Sequence, residues 1–176
     1  MNRYFQTPPV VKNLIIINLL VYMAMALIPE ARLFLDHFGA LQVGPRMLGY
    51  DFHAYQFITY MFLHANFEHI FFNMFALWMF GRTLEYDLGS RRFLVYYMVC
   101  GIGAALIQAG IATAMGQPMA LVGASGAVMG LLVVGCSLLG VAAGLLIAGD
   151  ATILLGFSFG ASSLALFAKA GGGIFT

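Results

Sequence analysis

The sequence predicts an all-α membrane protein, a polytopic helix bundle with about five spans of about 20 residues each. Of the 176 residues, 62% are hydrophobic and only 9% are charged, whereas about a quarter of the residues of soluble domains are charged. From Phe93 to Gly149 there is no Asp, Glu, Lys or Arg. These runs are continuously apolar instead of alternating, which predicts helices rather than barrel strands.

The composition also argues against several kinds of ligand. A net charge of +1 without a basic cluster offers no surface for nucleic acid. Cys100 and Cys136 both fall in apolar runs, so neither a disulfide framework nor a metal site is predicted. We therefore expect no metal and no cofactor, with the lipid bilayer as the main surroundings of the chain.

The elements follow from the order of apolar and polar segments. The first span is predicted at Val10–Ile28, before Pro29, and the polar but aromatic-rich stretch Glu30–Gln56 is predicted to be an interfacial loop. A loop is also predicted over Gly81–Arg92. The remaining spans are predicted at Phe57–Phe80, Phe93–Met115, Ser125–Ala148 and Ala151–Ala168.

The orientation is inferred from the lysines and arginines. A cytoplasmic N-terminus places five of these residues inside and three outside, which favours that orientation by the positive-inside rule. The inner group is Arg3, Lys12, Arg82, Arg91 and Arg92, and the outer group is Arg32, Arg46 and Lys169. The start of the Ser125 helix then points toward the outer face.

The predicted second span carries costly polar side chains, which in membrane helices face a bundle interior or a water-filled cavity. His69 and Asn73 are four residues apart and share one helical face. His64 is expected to precede the helix, with Asn66 as a possible cap. The histidine spacing lacks the His-Glu-x-x-His arrangement of zinc sites. Hydrogen-bonding between helices is the structural alternative for His69 and Asn73.

Ser125 lies in Gly123-Ala124-Ser125-Gly126, just before an apolar run. In a structural interpretation Ser125 caps a helix, and Gly126 and Gly130 let that helix pack closely against a neighbour. In a functional interpretation Ser125 is a nucleophile at a helix N-terminus, where unpaired N–H groups stabilise an oxyanion. Both interpretations stay open on the motif alone.

Taken together, three separated motifs resemble the rhomboid family of intramembrane serine proteases: His64–Asn73, Gly81–Glu85 with Leu88–Ser90, and Gly123–Gly126. The resemblance covers residues 1–134 and implies a six-helix core that cleaves transmembrane segments of other proteins in the plasma (inner) membrane. It assigns Ser125 as nucleophile at the foot of an aqueous cavity. It also implies the remaining roles: His69 and Asn73 in oxyanion stabilisation, His64 near the cavity, Gly123 before the serine and Glu85 at the polar end of the second span.

The C-terminal part departs from this pattern. No histidine follows His69, whereas a rhomboid serine is activated by a histidine on the last core helix. We treat residues 1–176 as a single domain with a divergent or truncated tail at 135–176, explained by a frame error, a truncation or true divergence. The alternative function is a non-catalytic rhomboid-like protein that binds transmembrane helices. A transporter would require paired discontinuous helices or inverted repeats, and the sequence contains no internal repeat.

Overall fold

A computed structural model describes residues 7–43, 52–116 and 118–142, most of them helical. The helices are α1 (Pro9–Leu27), α2 (Pro29–Gly39), α3 (Gln56–Thr59), α4 (Phe67–Ala76), α5 (Arg82–Leu88), α6 (Ser90–Ala114) and α7 (Ser125–Ala142). A 3-10 turn, Tyr60–Phe62, follows α3, and a π-helical segment, Leu77–Gly81, joins α4 to α5. Two short strands, β1 (Leu41–Val43) and β2 (Met119–Leu121), pair antiparallel.

Two of the described helices, α1 and α6, are long and apolar enough to cross a membrane. They agree with the first and third predicted spans to within a few residues. Helix α7 begins at Ser125, as the sequence predicts, and is described as far as Ala142. The predicted fifth span, Ala151–Ala168, lies outside the described residues.

The predicted second span, Phe57–Phe80, is not one regular helix. Chain 57–80 contains most of α3, the 3-10 turn, the non-helical residues 63–66, then α4 and most of the π-helical segment. The break has a local cause, because the Asn66 Oδ1 atom accepts the His69 N–H at 2.8 Å and starts a new helix there. Asn66 is thus confirmed as the cap of α4, and His64 precedes that helix as predicted.

Both predicted loops also contain helices. Within 30–56, Pro29 occupies the first turn of α2 and Glu30 lies in that turn, which are the features expected at a helix start. Within 81–92, α5 continues α4 through the π-helical segment and ends at Leu88, and the φ of +77° at Gly89 then turns the chain into α6. The sequence predicts loops here because both segments are rich in polar residues. A short helix with one polar side has the same composition, so polarity alone does not distinguish the two.

Glu85 joins three helices at one end of the bundle. Its side chain is 2% exposed; Oε1 accepts the Val10 N–H at 2.9 Å and Oε2 accepts the Val11 N–H at 2.8 Å. The Ser90 hydroxyl donates to Oε1 at 2.6 Å. The carboxylate therefore caps α1 from α5, where the helix dipole favours negative charge, and it ties the start of α6 to the same place.

Helices α6 and α7 pack closely through small residues. A Cβ atom on Gly126 would lie 2.6 Å from the Ala104 Cβ, and one on Gly130 would lie 2.5 Å from the Cys100 Sγ. The Tyr96 hydroxyl donates to the Gly130 carbonyl at 2.8 Å. Since Gly126 meets Ala104 and Gly130 meets Cys100, the first turns of α7 run antiparallel to α6.

The β1–β2 pair holds the segment that leads to Ser125. Leu41 lies opposite Leu121, and Val43 lies opposite Met119. The fully buried Gln56 supports this pair, because its Oε1 accepts the Gln42 N–H at 3.3 Å. This strand pairing fixes the approach to α7 and was not predicted from the sequence.

The chain divides into two compact units, Met1–Leu131 and Leu132–Thr176. The first contains α1 to α6, both strands and the first turns of α7. The second contributes the remainder of α7 to the described residues. A single domain over residues 1–176 stays a prediction.

Candidate active site

Ser125 is the first residue of α7, and its side chain is half-buried. The preceding turn depends on Gly123, whose φ of +113° is disfavoured for any residue with a Cβ atom. The Gly123 N–H donates to the Tyr60 carbonyl at 2.8 Å and so fixes this turn on the 3-10 segment. The serine is thus held at the beginning of a helix by a backbone bond.

The start of α7 also lies beside the interior of α6. Gly126, the residue after Ser125, packs against Ala104 in the interior of α6. At 1.5 Å per residue, Ala104 lies about 21 Å from the start of α6 and about 15 Å from its end. Ser125 therefore sits well inside the length of a membrane-spanning helix rather than at its surface end.

His69 covers the turn before the serine. A Cβ atom on Gly123 would lie 2.5 Å from both Cε1 and Nε2 of His69, so the imidazole occupies the space that a side chain at position 123 would need. The absence of that side chain brings the ring against the backbone two residues before Ser125. His69 itself lies in the first turn of α4, and its ring is half-buried.

His64 and Asn73 lie beside His69. The His64 and His69 rings meet edge-on, with centroids 5.1 Å apart. His64 is fully buried, and neither of its ring nitrogens makes a well-formed hydrogen bond with the described residues. Asn73 is 6% exposed, one helical turn beyond His69, and its Nδ2 atom also lacks a protein acceptor among the described residues.

The structure thus brings His64, His69 and the Gly123 turn together. His64 contacts His69, His69 contacts Gly123, and Ser125 follows two residues later. Gly126 and Gly130 pack against α6 as the structural interpretation predicts, so the serine motif serves helix packing in addition to any chemistry. Glu85 lies elsewhere, at the junction of α1, α5 and α6.

Tyr60 is a supporting residue that the sequence analysis missed. Its carbonyl holds Gly123, and its hydroxyl donates to the Gly101 carbonyl at 2.7 Å. The chain therefore connects the serine turn, the 3-10 segment and α6 through one buried tyrosine. No sequence signal pointed to Tyr60, because a tyrosine in an apolar run is typical of membrane helices.

The arrangement suits nucleophilic chemistry more than metal binding. Within residues 7–43, 52–116 and 118–142, no group of three or more His, Cys, Asp or Glu side chains could hold a metal ion. A hydroxyl at a helix N-terminus, two residues after a turn that an imidazole contacts, is an arrangement in which a nucleophile and hydrogen-bond donors for an oxyanion can be combined.

Comparisons with known proteins agree with the motifs. A model of the Rhomboid domain matches residues 51–147, more than half of the chain. A segment of 61 residues is also 49% identical to part of a K(+)-insensitive pyrophosphate-energized proton pump of Methanosarcina mazei. This second match covers 35% of this chain and 9% of the pump. Because only 50 residues precede the Rhomboid match and 29 follow it, the two matches share part of the chain.

Proposed function

The chain belongs to the rhomboid family, whose members are in general intramembrane serine proteases. We propose that it carries a serine endopeptidase site of the rhomboid type, which acts on transmembrane segments. In this proposal Ser125 is the nucleophile, and the substrates are membrane proteins in the surrounding bilayer. The N-terminus is cytoplasmic, the protein resides in the plasma (inner) membrane, and the site opens toward the outer face.

The position of Ser125 carries the proposal. The residue begins α7 about 15 Å inside the length of α6, yet its side chain is half-buried rather than sealed in the core. A polar group at that depth is costly unless it faces a cavity or a partner. A substrate peptide bond that enters the bundle at this level would meet the serine hydroxyl directly.

The neighbouring groups supply the remaining roles. The Ser125 N–H lies at the start of α7, where backbone donors have no intrahelical acceptors. His69 and Asn73, on the facing side of α4, are proposed to donate to the developing oxyanion. Gly123 lets the His69 ring approach the turn, and His64 packs behind that ring.

The chain as written lacks one part of the catalytic unit. No histidine follows His69 in the 176 residues, so the Ser125 proton has no second imidazole as acceptor, and the leaving amine has no general acid. We expect cleavage far below the rate typical of the family. In serine hydrolases, loss of a member of the unit leaves about 10³- to 10⁴-fold catalysis over water.

This sequence feature favours a second candidate function, a non-catalytic rhomboid-like protein that binds transmembrane helices. The same depth and the same partly open site would receive an apolar segment without cutting it. The pump similarity adds no function to this chain, which spans only 9% of the length of that protein.

A cleavage assay tests whether this chain, without a second histidine after His69, still acts as an endopeptidase. The full chain is purified in detergent and incubated with a generic transmembrane substrate and with a serine-directed fluorophosphonate, beside Ser125→Ala as the matched control. We expect no cleavage within hours and little labelling of either protein. Robust cleavage that Ser125→Ala abolishes would instead establish the endopeptidase and show that another residue, with His69 the nearest imidazole, supplies the base.

A further inference from the structure

The start of α6 carries an open groove that the proposed active site does not use. Its volume is about 500 Å³, and its walls are Arg91, Arg92, Val95, Tyr96 and Val99. The two arginines occupy the first turn of the helix, and Val95 and Val99 lie one turn apart on its side. The groove therefore has a cationic end and an apolar wall.

None of the described residues balances the charges in this groove. Arg91 and Arg92 are exposed, and among the described residues neither makes a hydrogen bond or an ion pair. Glu85, the nearest buried carboxylate in sequence, is already occupied by Val10, Val11 and Ser90. The preceding cap residue, Gly89, offers the first turn of α6 no side-chain acceptor.

The apolar wall is equally open. Val95 is 58% exposed and Val99 is 62% exposed, on a helix that is apolar enough to cross a membrane. Tyr96 is fixed in place by its hydrogen bond to the Gly130 carbonyl. A hydrocarbon chain lying along α6 would contact both valines and the tyrosine ring while its polar end lies level with the arginines.

We propose that this groove binds one anionic phospholipid, with the headgroup phosphate on Arg91 and Arg92 and an acyl chain along Val95 and Val99. The charge complementarity selects a phosphate-bearing anion, because guanidinium groups bind phosphate through paired N–H donors. The apolar wall selects a lipid over a free anion. Basic side chains at the end of a membrane helix are the usual recognition element for anionic headgroups.

The test is lipid binding by the purified full chain in neutral detergent, measured by native mass spectrometry with dioleoylphosphatidylglycerol and dioleoylphosphatidylcholine. We expect the wild-type chain to bind the anionic lipid more tightly. Each basic residue near the membrane surface contributes about a fivefold effect on affinity. The Arg91→Gln/Arg92→Gln variant, which removes two, should therefore bind phosphatidylglycerol about thirtyfold more weakly. Val99→Trp, which keeps both arginines but fills the groove, should also weaken binding.

The matched control is Lys12→Gln/Arg82→Gln, which removes two positive charges from the same end of the bundle outside the groove. It should retain the wild-type preference. Equal binding of phosphatidylglycerol by the wild-type chain and the double-arginine variant would overturn the proposal. So would displacement of the lipid by millimolar inorganic phosphate, because a site that holds only the free anion does not need the apolar wall.

Discussion

Gly123 is the residue on which the position of His69 depends most directly. Its φ of +113° permits the turn before Ser125, and its missing side chain leaves room for the His69 ring. A substitution at this position therefore introduces two effects at once, backbone strain and a steric clash with the His69 ring. The same substitution at a glycine of positive φ with open space around it measures the backbone strain without the clash.

We predict that Gly123→Ala destabilises the fold by more than Gly116→Ala. Gly116 has a φ of +62° but open space where a Cβ atom would lie, so its substitution should cost only the backbone term of about 1–2 kcal/mol. Gly123→Ala adds the clash with His69. Denaturant unfolding in micelles would measure both, and Gly123→Ala with His69→Ala should lose less than the sum of the single variants. Strict additivity would show that the ring does not press on this turn.

Some of these residues could be predicted individually and others could not. Asn66 was identified as a cap because Asn before an apolar run has a local physical meaning, and the structure confirms it. Tyr60 was missed because its role depends on two distant partners, the Gly123 N–H and the Gly101 carbonyl. Long-range hydrogen bonds of this kind leave no pattern in the neighbouring sequence.

At the scale of the elements, Glu85 shows how a short helix organises two long ones. We predict that Glu85→Gln lowers the free energy of unfolding by about 2–3 kcal/mol, because the amide replaces one acceptor by a donor and leaves Val10 or Val11 unsatisfied. The control is Glu68→Gln, an exposed residue in the first turn of α4, which should cost less than about 1 kcal/mol. Equal losses in the two variants would contradict the capping role.

The contact between α6 and α7 allows a test by exchange of size. We predict that Gly126→Ala costs about 1–3 kcal/mol through overpacking against Ala104, and that Ala104→Gly in the same chain restores much of the loss. Gly103→Ala is the control, since a Cβ atom there meets nothing within 4 Å. It should be neutral or stabilising by up to about 1 kcal/mol. A similar loss at both glycines would argue against close helix packing at Gly126.

Helix type and position were predictable where the apolar run was long and uninterrupted, as in α1 and α6. The predicted span 57–80 is not one regular helix, because the backbone breaks at Leu63–Asn66. Hydropathy averages over many residues and does not register this break, which only the identity of Asn66 as a cap residue indicated. The short strands β1 and β2 were missed for a related reason, because three-residue strands have no detectable period.

At the scale of the whole molecule, the arrangement of α6 and α7 determines the depth of the candidate site. The antiparallel packing places the start of α7 near Ala104, inside the length of α6. We expect water to reach a serine at that level through the bundle rather than through its lipid-facing surface. The depth of a residue along α6 and its accessibility to water are therefore different properties, and labelling of cysteines at two depths tests them.

We predict that Ser125→Cys, in a chain with Cys100→Ala and Cys136→Ala, reacts with a polar, membrane-impermeant thiol reagent added outside intact cells. Ile107→Cys in the same background is the control, because Ile107 is 66% exposed on α6 and lies about 5 Å nearer the end of that helix than Ala104. It faces lipid, so its thiol should stay unlabelled although it is shallower. Labelling of the Ser125→Cys chain only after permeabilisation would reverse the proposed orientation. Labelling of the Ile107→Cys chain but not of the Ser125→Cys chain would exclude an aqueous path to the serine.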